Sequence, residues 1–250
     1  LAGDFEKEDA KQMIEKYFGE IKKRQEVAKL EPRPVTISET KRLYHEDNFA
    51  TAPQLNMVWP TVQQYTDDAY ALDFLAEILS SGKKAPLYKV LVKDKKLTSR
   101  TTAYNNSQEL AGEFHIIITA NDGVDLDEVE AGITEAMAMF EKEGVTERDV
   151  ERIKAGLETS FYNGISSVLS KSFQLASYNT FTGDPSYIEQ DIENIKAVTK
   201  EDVMNVYNKY IKGKPFVMTS FVPKGQMELI AENSEKAEVV EEEIKENVEK

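Results

Sequence analysis

Cysteine is absent from the 250 residues and histidine occurs only twice, at His45 and His115. The first absence excludes disulfides, thiolate metal sites and a cysteine nucleophile. The second leaves a zinc hydrolase short of ligands, because such a site needs at least three protein ligands and usually a carboxylate base. No apolar run approaches the roughly 20 residues that span a bilayer, and Leu1 does not begin a signal peptide. No cluster of Lys and Arg appears either, and the formal charge is -14. That balance disfavours nucleic acid and anionic membrane as partners, since both require concentrated positive charge.

The acidity is uneven. Gln226 to Lys250 holds nine glutamates against three lysines and so supplies -6 of the charge. Like charges repel, which marks residues 226–250 as an acidic linker or tail beside a body at residues 1–225. The chain opens on Leu1-Ala2-Gly3-Asp4-Phe5, which reads as the end of a strand turning into a helix and predicts a fragment cut from a longer protein.

Apolar periodicity predicts a first helix from Glu6 to Phe18, ended by Gly19. Strands are predicted at Val35 to Tyr44 and Leu55 to Val58. A helix begins at Asp67-Asp68 and stops at Gly82, and a shorter one runs from Pro86 to Lys95. Thr98 to Asn105 and Ala111 to Ala120 read as a hairpin. Leu126, Val129, Ile133, Met137 and Phe140 form another helical stripe. Two helix starts share one signature, Val145-Thr146-Glu147-Arg148-Asp149-Val150 and Val198-Thr199-Lys200-Glu201-Asp202-Val203. In each, Thr caps, Asp reaches back, and flanking valines staple the entry. Phe216 to Val222 is a last strand. The order implies an α+β, two-layer sandwich: a largely antiparallel sheet with helices packed on one face.

No catalytic constellation emerges from the residues. His45 precedes Glu46, but a second helical histidine would fall where Asn48 and Phe49 stand, and His115 alternates with Phe114 and Ile116 on a strand. A lone imidazole reads first as a surface or satisfied core group. With two dispersed histidines a serine triad has no base, and Gly82-Lys83-Lys84-Ala85 lacks phosphate-loop spacing. Asp67-Asp68 and Asp125-Asp127 sit at helix starts, where carboxylates complement the dipole.

Taken in order, several segments resemble the pitrilysin family of zinc metallopeptidases, which includes insulin-degrading enzyme and the mitochondrial processing peptidase. They are Ala2-Gly3-Asp4-Phe5 with Glu15-Lys16-Tyr17-Phe18-Gly19, Leu55-Asn56-Met57-Val58-Trp59-Pro60 and Ile78-Leu79-Ser80-Ser81-Gly82-Lys83. Leu87-Tyr88-Lys89-Val90-Leu91-Val92, Glu109-Leu110-Ala111-Gly112-Glu113-Phe114, Gly183-Asp184-Pro185, the Val198-Thr199 helix start and Val222-Pro223-Lys224-Gly225 continue the set. The resemblance implies a processing-peptidase-like fold and the second, inactive domain of a pair, whose partner domain carries H-x-x-E-H and the zinc. This chain would then hold no catalytic residue, no metal ligand and no cofactor of its own. Its partners would be that zinc domain, in the same parent or a partner subunit, and a peptide substrate.

In such families the second domain often supplies an arginine and, seven positions later, a tyrosine that hold the substrate. The corresponding places here are Val92 and Ser99, neither of which can do that work. The resemblance points to a bacterial periplasmic or cell-envelope location. It predicts a scaffold and chamber wall of a peptidase. The alternative is a wholly non-catalytic assembly relative, favoured by the degenerate Val92 and Ser99; an upstream H-x-x-E-H motif decides between them.

Overall fold

The computed structural model describes residues 1–22, 28 and 30–238. Helix α1 (Lys7–Phe18) is followed by strands β1 (Lys41–Asp47) and β2 (Gln54–Thr61) and by helix α2 (Asp67–Ser80). A π-helical segment at Tyr88–Asp94 leads to the hairpin of β3 (Thr102–Ser107) and β4 (Gly112–Thr119). Helices α3 (Leu126–Glu143), α4 (Glu147–Gly164), α5 (Val168–Phe181), α6 (Ile188–Ala197) and α7 (Lys200–Val206) come next. Strand β5 (Val217–Pro223), a 3₁₀ turn at Met227–Leu229 and the short β6 (Glu235–Lys236) complete the order.

The strands form one mixed sheet in the order β3-β4-β2-β5-β1-β6. Pairing is antiparallel across β3, β4, β2 and β5, and parallel where β1 joins β5 and β6. This is the α+β architecture expected from the element order. Alternation sets its two sides: Leu55, Met57 and Trp59 of β2, Phe114, Ile116 and Ile118 of β4, and Met218 and Val222 of β5 are buried in the helix-covered core. α2 contributes Phe74, Leu75, Ile78 and Leu79, while α3 contributes Leu126, Val129, Ile133 and Phe140. The stripe read from the sequence thus fills the core, with Met137 only partly buried against it.

Local signals hold at the helix ends. Thr146 with Asp149 and Thr199 with Asp202 both close reciprocal capping boxes at the starts of α4 and α7. Thr66, one residue before the expected start, caps α2, accepting from the Ala69 amide at 3.4 Å. Gly82, at φ +83°, turns the chain away after the C-cap Ser81. Gly112 is required for another reason: a Cβ there would lie 2.2 Å from the Val62 carbonyl oxygen, so the hairpin could not seat against the end of β2.

Two strands start well after the positions read from the sequence. β1 begins at Lys41 rather than Val35 because Lys41 starts the ladder with β5, whereas Val35 stays 57% exposed and the Arg33 amide donates to the Leu110 carbonyl. A strand exists where an edge is available to pair with, and apolar alternation alone cannot supply the edge. β3 begins at Thr102 rather than Thr98. The Thr98 hydroxyl donates to the Thr119 carbonyl at 2.6 Å and the Asn121 amide donates to the Leu97 carbonyl, so this stretch anchors to the end of β4 before the ladder starts.

The acidic segment also departs from a solvated tail in its first part. Leu229 and Ala231 are buried, the Ala231 amide donates to the buried Ser220 hydroxyl at 3.3 Å, and Glu235–Lys236 pairs with Leu43 and Tyr44. Apolar Leu229, Ile230 and Ala231, together with the open edge of β1, outweigh the charge repulsion. Residues 239–250, the rest of the expected linker, lie outside the described residues.

Candidate functional site: the open side of the sheet

Residues that alternate with the core positions project from the opposite side of the sheet, where they remain half-buried or exposed. Register places them in rows. Leu43, Thr219, Asn56, Ile117 and Thr102 lie across one row, and Val217, Val58, His115 and Tyr104 across the next. Part of this surface is a polar ladder. The Thr119 hydroxyl donates to Gln54 Oε1 at 3.1 Å, Gln54 Nε2 to Asn56 Oδ1 at 2.9 Å, and Asn56 Nδ2 to the Thr219 hydroxyl at 3.3 Å.

Both histidines belong to this side. His115 stacks on Tyr104, with centroids 4.6 Å apart and planes 7° from parallel, and its Nε2 lies 3.1 Å from Glu113 Oε2. His45 meets the edge of Phe221 at 6.2 Å. Each therefore has an ordinary aromatic or carboxylate neighbour, on strands separated by β2 and β5. Glu46, beside His45, accepts from the Gly225 amide at 3.0 Å. Among the described residues no group of three or more His, Asp and Glu is placed to hold a metal.

At the end of the sheet the same side deepens into a cavity of about 650 Å³. Its apolar wall is Val35, Ile37, Val58, Pro60, Leu110 and Val217, and Glu109 and Glu113 stand at it. Val35 and Ile37, read from the sequence as strand residues, serve here as wall.

The two family positions fall elsewhere. Val92 is half-buried in the π-helical segment, whose Val90 and Leu91 enter the core beside α3. Ser99 is exposed in the anchored stretch before β3, and so is Arg100. Arg100 is not in a strand, as the sequence reading had it. Its amide donates to the Thr98 hydroxyl at 3.2 Å, which bends the chain and leaves residues 99 and 100 both in solvent. Of the acidic pairs, Asp125 caps α3 by accepting from the Asp127 amide, and Asp68 accepts from Lys209 Nζ and from the Tyr210 hydroxyl, both at 2.6 Å.

One polar cluster was not legible. Asp191 of α6, 9% exposed, accepts from the Tyr70 hydroxyl of α2 at 2.5 Å and the Tyr178 hydroxyl of α5 at 2.6 Å. Burial, and then the adjacent carboxylate, raise both phenol pKa values, so the two hydroxyls stay protonated donors. In sequence Asp191 sits among Glu189 and Glu193 and looks like part of a solvated face. The only hint is its place beside Ile188, Ile192 and Ile195 on the apolar stripe of α6.

With this geometry in view, known proteins supply the family. Residues 1–157 match the family model described as the peptidase M16 inactive domain. The chain belongs to that family. It is 24% identical over 148 residues to the zinc protease PqqE of Helicobacter pylori, a match that covers 58% of this chain and 32% of the relative. In fold it resembles a protease from Helicobacter pylori (TM-score 0.72, 19% identity), covering 89% of this chain and 54% of that one. It also resembles the periplasmic protease PqqL from Escherichia coli (TM-score 0.66, 14% identity), covering 89% of this chain and 25% of that one. The chain thus spans about half or less of these relatives' lengths. No helix among the described residues is long and apolar enough to cross a membrane.

Proposed function

We propose that this M16 inactive domain is a scaffold of a zinc-dependent metallopeptidase and lines the wall of a peptide chamber with the open side of its sheet. A separate domain, in the same parent or in a partner subunit, would carry H-x-x-E-H and the zinc. The observation that carries the reading is the asymmetry of the sheet: one side is sealed by helices, and the other presents a half-buried mixture of polar ladder, aromatic and aliphatic groups. A surface of that composition suits an extended peptide, which offers amides to polar groups and side chains to apolar ones.

Exposed apolar surfaces support a partner domain as well. Helix α1 buries none of its residues and exposes Met13, Ile14, Tyr17 and Phe18, while α5 exposes Val168, Leu169 and Phe173. Exposed apolar groups at this density mark interaction surfaces. The periplasmic description of PqqL supports a bacterial envelope location.

The experiment is hydrolysis of a quenched fluorescent peptide by the chain alone, by the H-x-x-E-H region of the parent alone, and by the two combined, with and without a chelator. Zinc-dependent cleavage that needs both parts is expected. A parent with no such motif within a domain's length, about 100–200 residues, and with no partner subunit that carries one refutes the reading, as does chelator-resistant cleavage by this chain alone.

A further inference from the structure

The cavity of about 650 Å³ at the end of the open side has a chemistry narrower than that of the face around it. Its volume falls within the roughly 300–1,000 Å³ of ligand sites. Val58 and Pro60 of β2 and Val217 of β5 form its floor, and Val35 and Ile37 cross over from the connection before β1. Among the described residues, lysine and arginine are absent from its lining, whereas two carboxylates, Glu109 and Glu113, are present and exposed. Asn106 and Gln108 stand on the same wall, the Gln108 Nε2 donating to Asn106 Oδ1 at 3.0 Å.

We propose that this cavity is a specificity pocket for an apolar side chain of the peptide, presented next to a basic residue that pairs with Glu109 and Glu113. The inference rests on the chamber-wall reading and narrows it. The apolar wall supplies the burial term, and the carboxylates select the neighbour by charge: a basic residue gains a partner, and an acidic one meets two like charges.

The test uses fluorescence anisotropy of the full chain with labelled nonapeptides of Gly and Ser holding one Leu followed by one Arg. Replacing the peptide's Leu by Gly is expected to weaken binding at least tenfold, and replacing its Arg by Glu about fivefold. Val58→Asp should weaken the Leu-Arg peptide tenfold or more. Glu109→Gln with Glu113→Gln should erase the preference for Arg over Glu; this exposed pair keeps the test open if Val58→Asp unfolds the chain, as judged by circular dichroism. Equal affinity for the Leu and Gly peptides overturns the proposal, and so does no binding at millimolar peptide. Self-association of the chain that Val58→Asp abolishes would assign the cavity to a second copy and also overturn it. A photoreactive leucine in the peptide separates the two levels of inference. Crosslinks to Val58, Pro60 or Val217 support the pocket, crosslinks to His45 or Phe221 sink the pocket and leave the chamber wall standing, and crosslinks to the helices sink both.

Discussion

Asp191→Ala removes the one acceptor that ties α2, α5 and α6 together through the hydroxyls of Tyr70 and Tyr178. Tyr178 is fully buried and Tyr70 is 9% exposed, so their hydroxyls are largely shielded from bulk water. Hydrogen bonds to a charged group contribute about 1.5–3 kcal/mol each. Two would sum to about 3–6 kcal/mol, but a cavity of about 330 Å³ lined by Tyr70 and Asp191 can admit water to one of them. The expected loss is therefore about 3–4 kcal/mol, which for a chain of this size lowers Tm by roughly 6–15 °C. Asp191→Asn keeps one acceptor and should cost about half as much. Burying the carboxylate is itself expensive, so the triple variant Asp191→Ala, Tyr70→Phe, Tyr178→Phe should recover much of the loss by leaving no unpaired polar group. Thermal and urea unfolding of the four proteins measure this. A loss below about 1 kcal/mol for Asp191→Ala, within the range of an ordinary surface substitution, would refute the view that the cluster holds the helical layer together.

The remaining predictions concern the tail, acid stability and the family positions. A chain ending at Gly225 should lose about 3 kcal/mol, from the buried Leu229 side chain and the orphaned Ser220 hydroxyl, whereas one ending at Glu238 should match the full chain in thermal unfolding. Equal melting of both would mean the contacts of residues 226–238 contribute nothing. Asp68 should make the fold acid-sensitive. Burial pushes its pKa up, but hydrogen bonds from Lys209 and Tyr210 outweigh that and hold it below the usual carboxylate value. A lowered folded pKa means the stabilisation is complete above the unfolded value of about 3.9 and is lost as pH falls through the folded one. Asp68→Asn should flatten that part of the stability-against-pH curve below about pH 4, and an unchanged curve would remove Asp68 from the account. If the proposed parent peptidase is active, Ser99→Ala and Val92→Ala should leave its turnover unchanged, with Val92→Ala costing about 1 kcal/mol of stability for a half-buried valine; a hundredfold fall in turnover for Ser99→Ala would place the peptide against that segment.

What the sequence disclosed follows from the range of the forces involved. The two capping boxes and the stripe of α3 are local, fixed by residues three or four apart, and both stand where the spacing put them. The starts of β1 and β3 were misplaced because a strand's extent depends on a partner distant in sequence: Lys41 pairs with Val217, and Thr98 is diverted by the Thr119 carbonyl. The same limit hid Asp191, whose two donors lie 121 and 13 residues away. The cavity was hidden for a related reason. Val35 and Ile37 look like a strand's apolar alternation, and only the register of β2 with β5 brings Val58 and Val217 together beneath them.

The two sides of the sheet therefore answer to different constraints, although they share every strand. On β2 the buried set Leu55, Met57 and Trp59 packs against helices, so a change of one methylene there is felt as stability. The alternating set Gln54, Asn56, Val58 and Pro60 faces the open side, where a polar replacement leaves the core untouched. Period-two alternation lets one strand carry a fold on one set of residues and a recognition surface on the other. A scaffold domain of the proposed kind can in this way contribute specificity, because the groups that would choose a peptide are not the groups that hold the sheet together. The contrast is sharpest at adjacent residues: Trp59 is 3% exposed and closes the core against Phe114, while Val58 beside it forms the floor of the cavity. Substitution at Trp59 should thus appear first in melting temperature and substitution at Val58 first in peptide affinity.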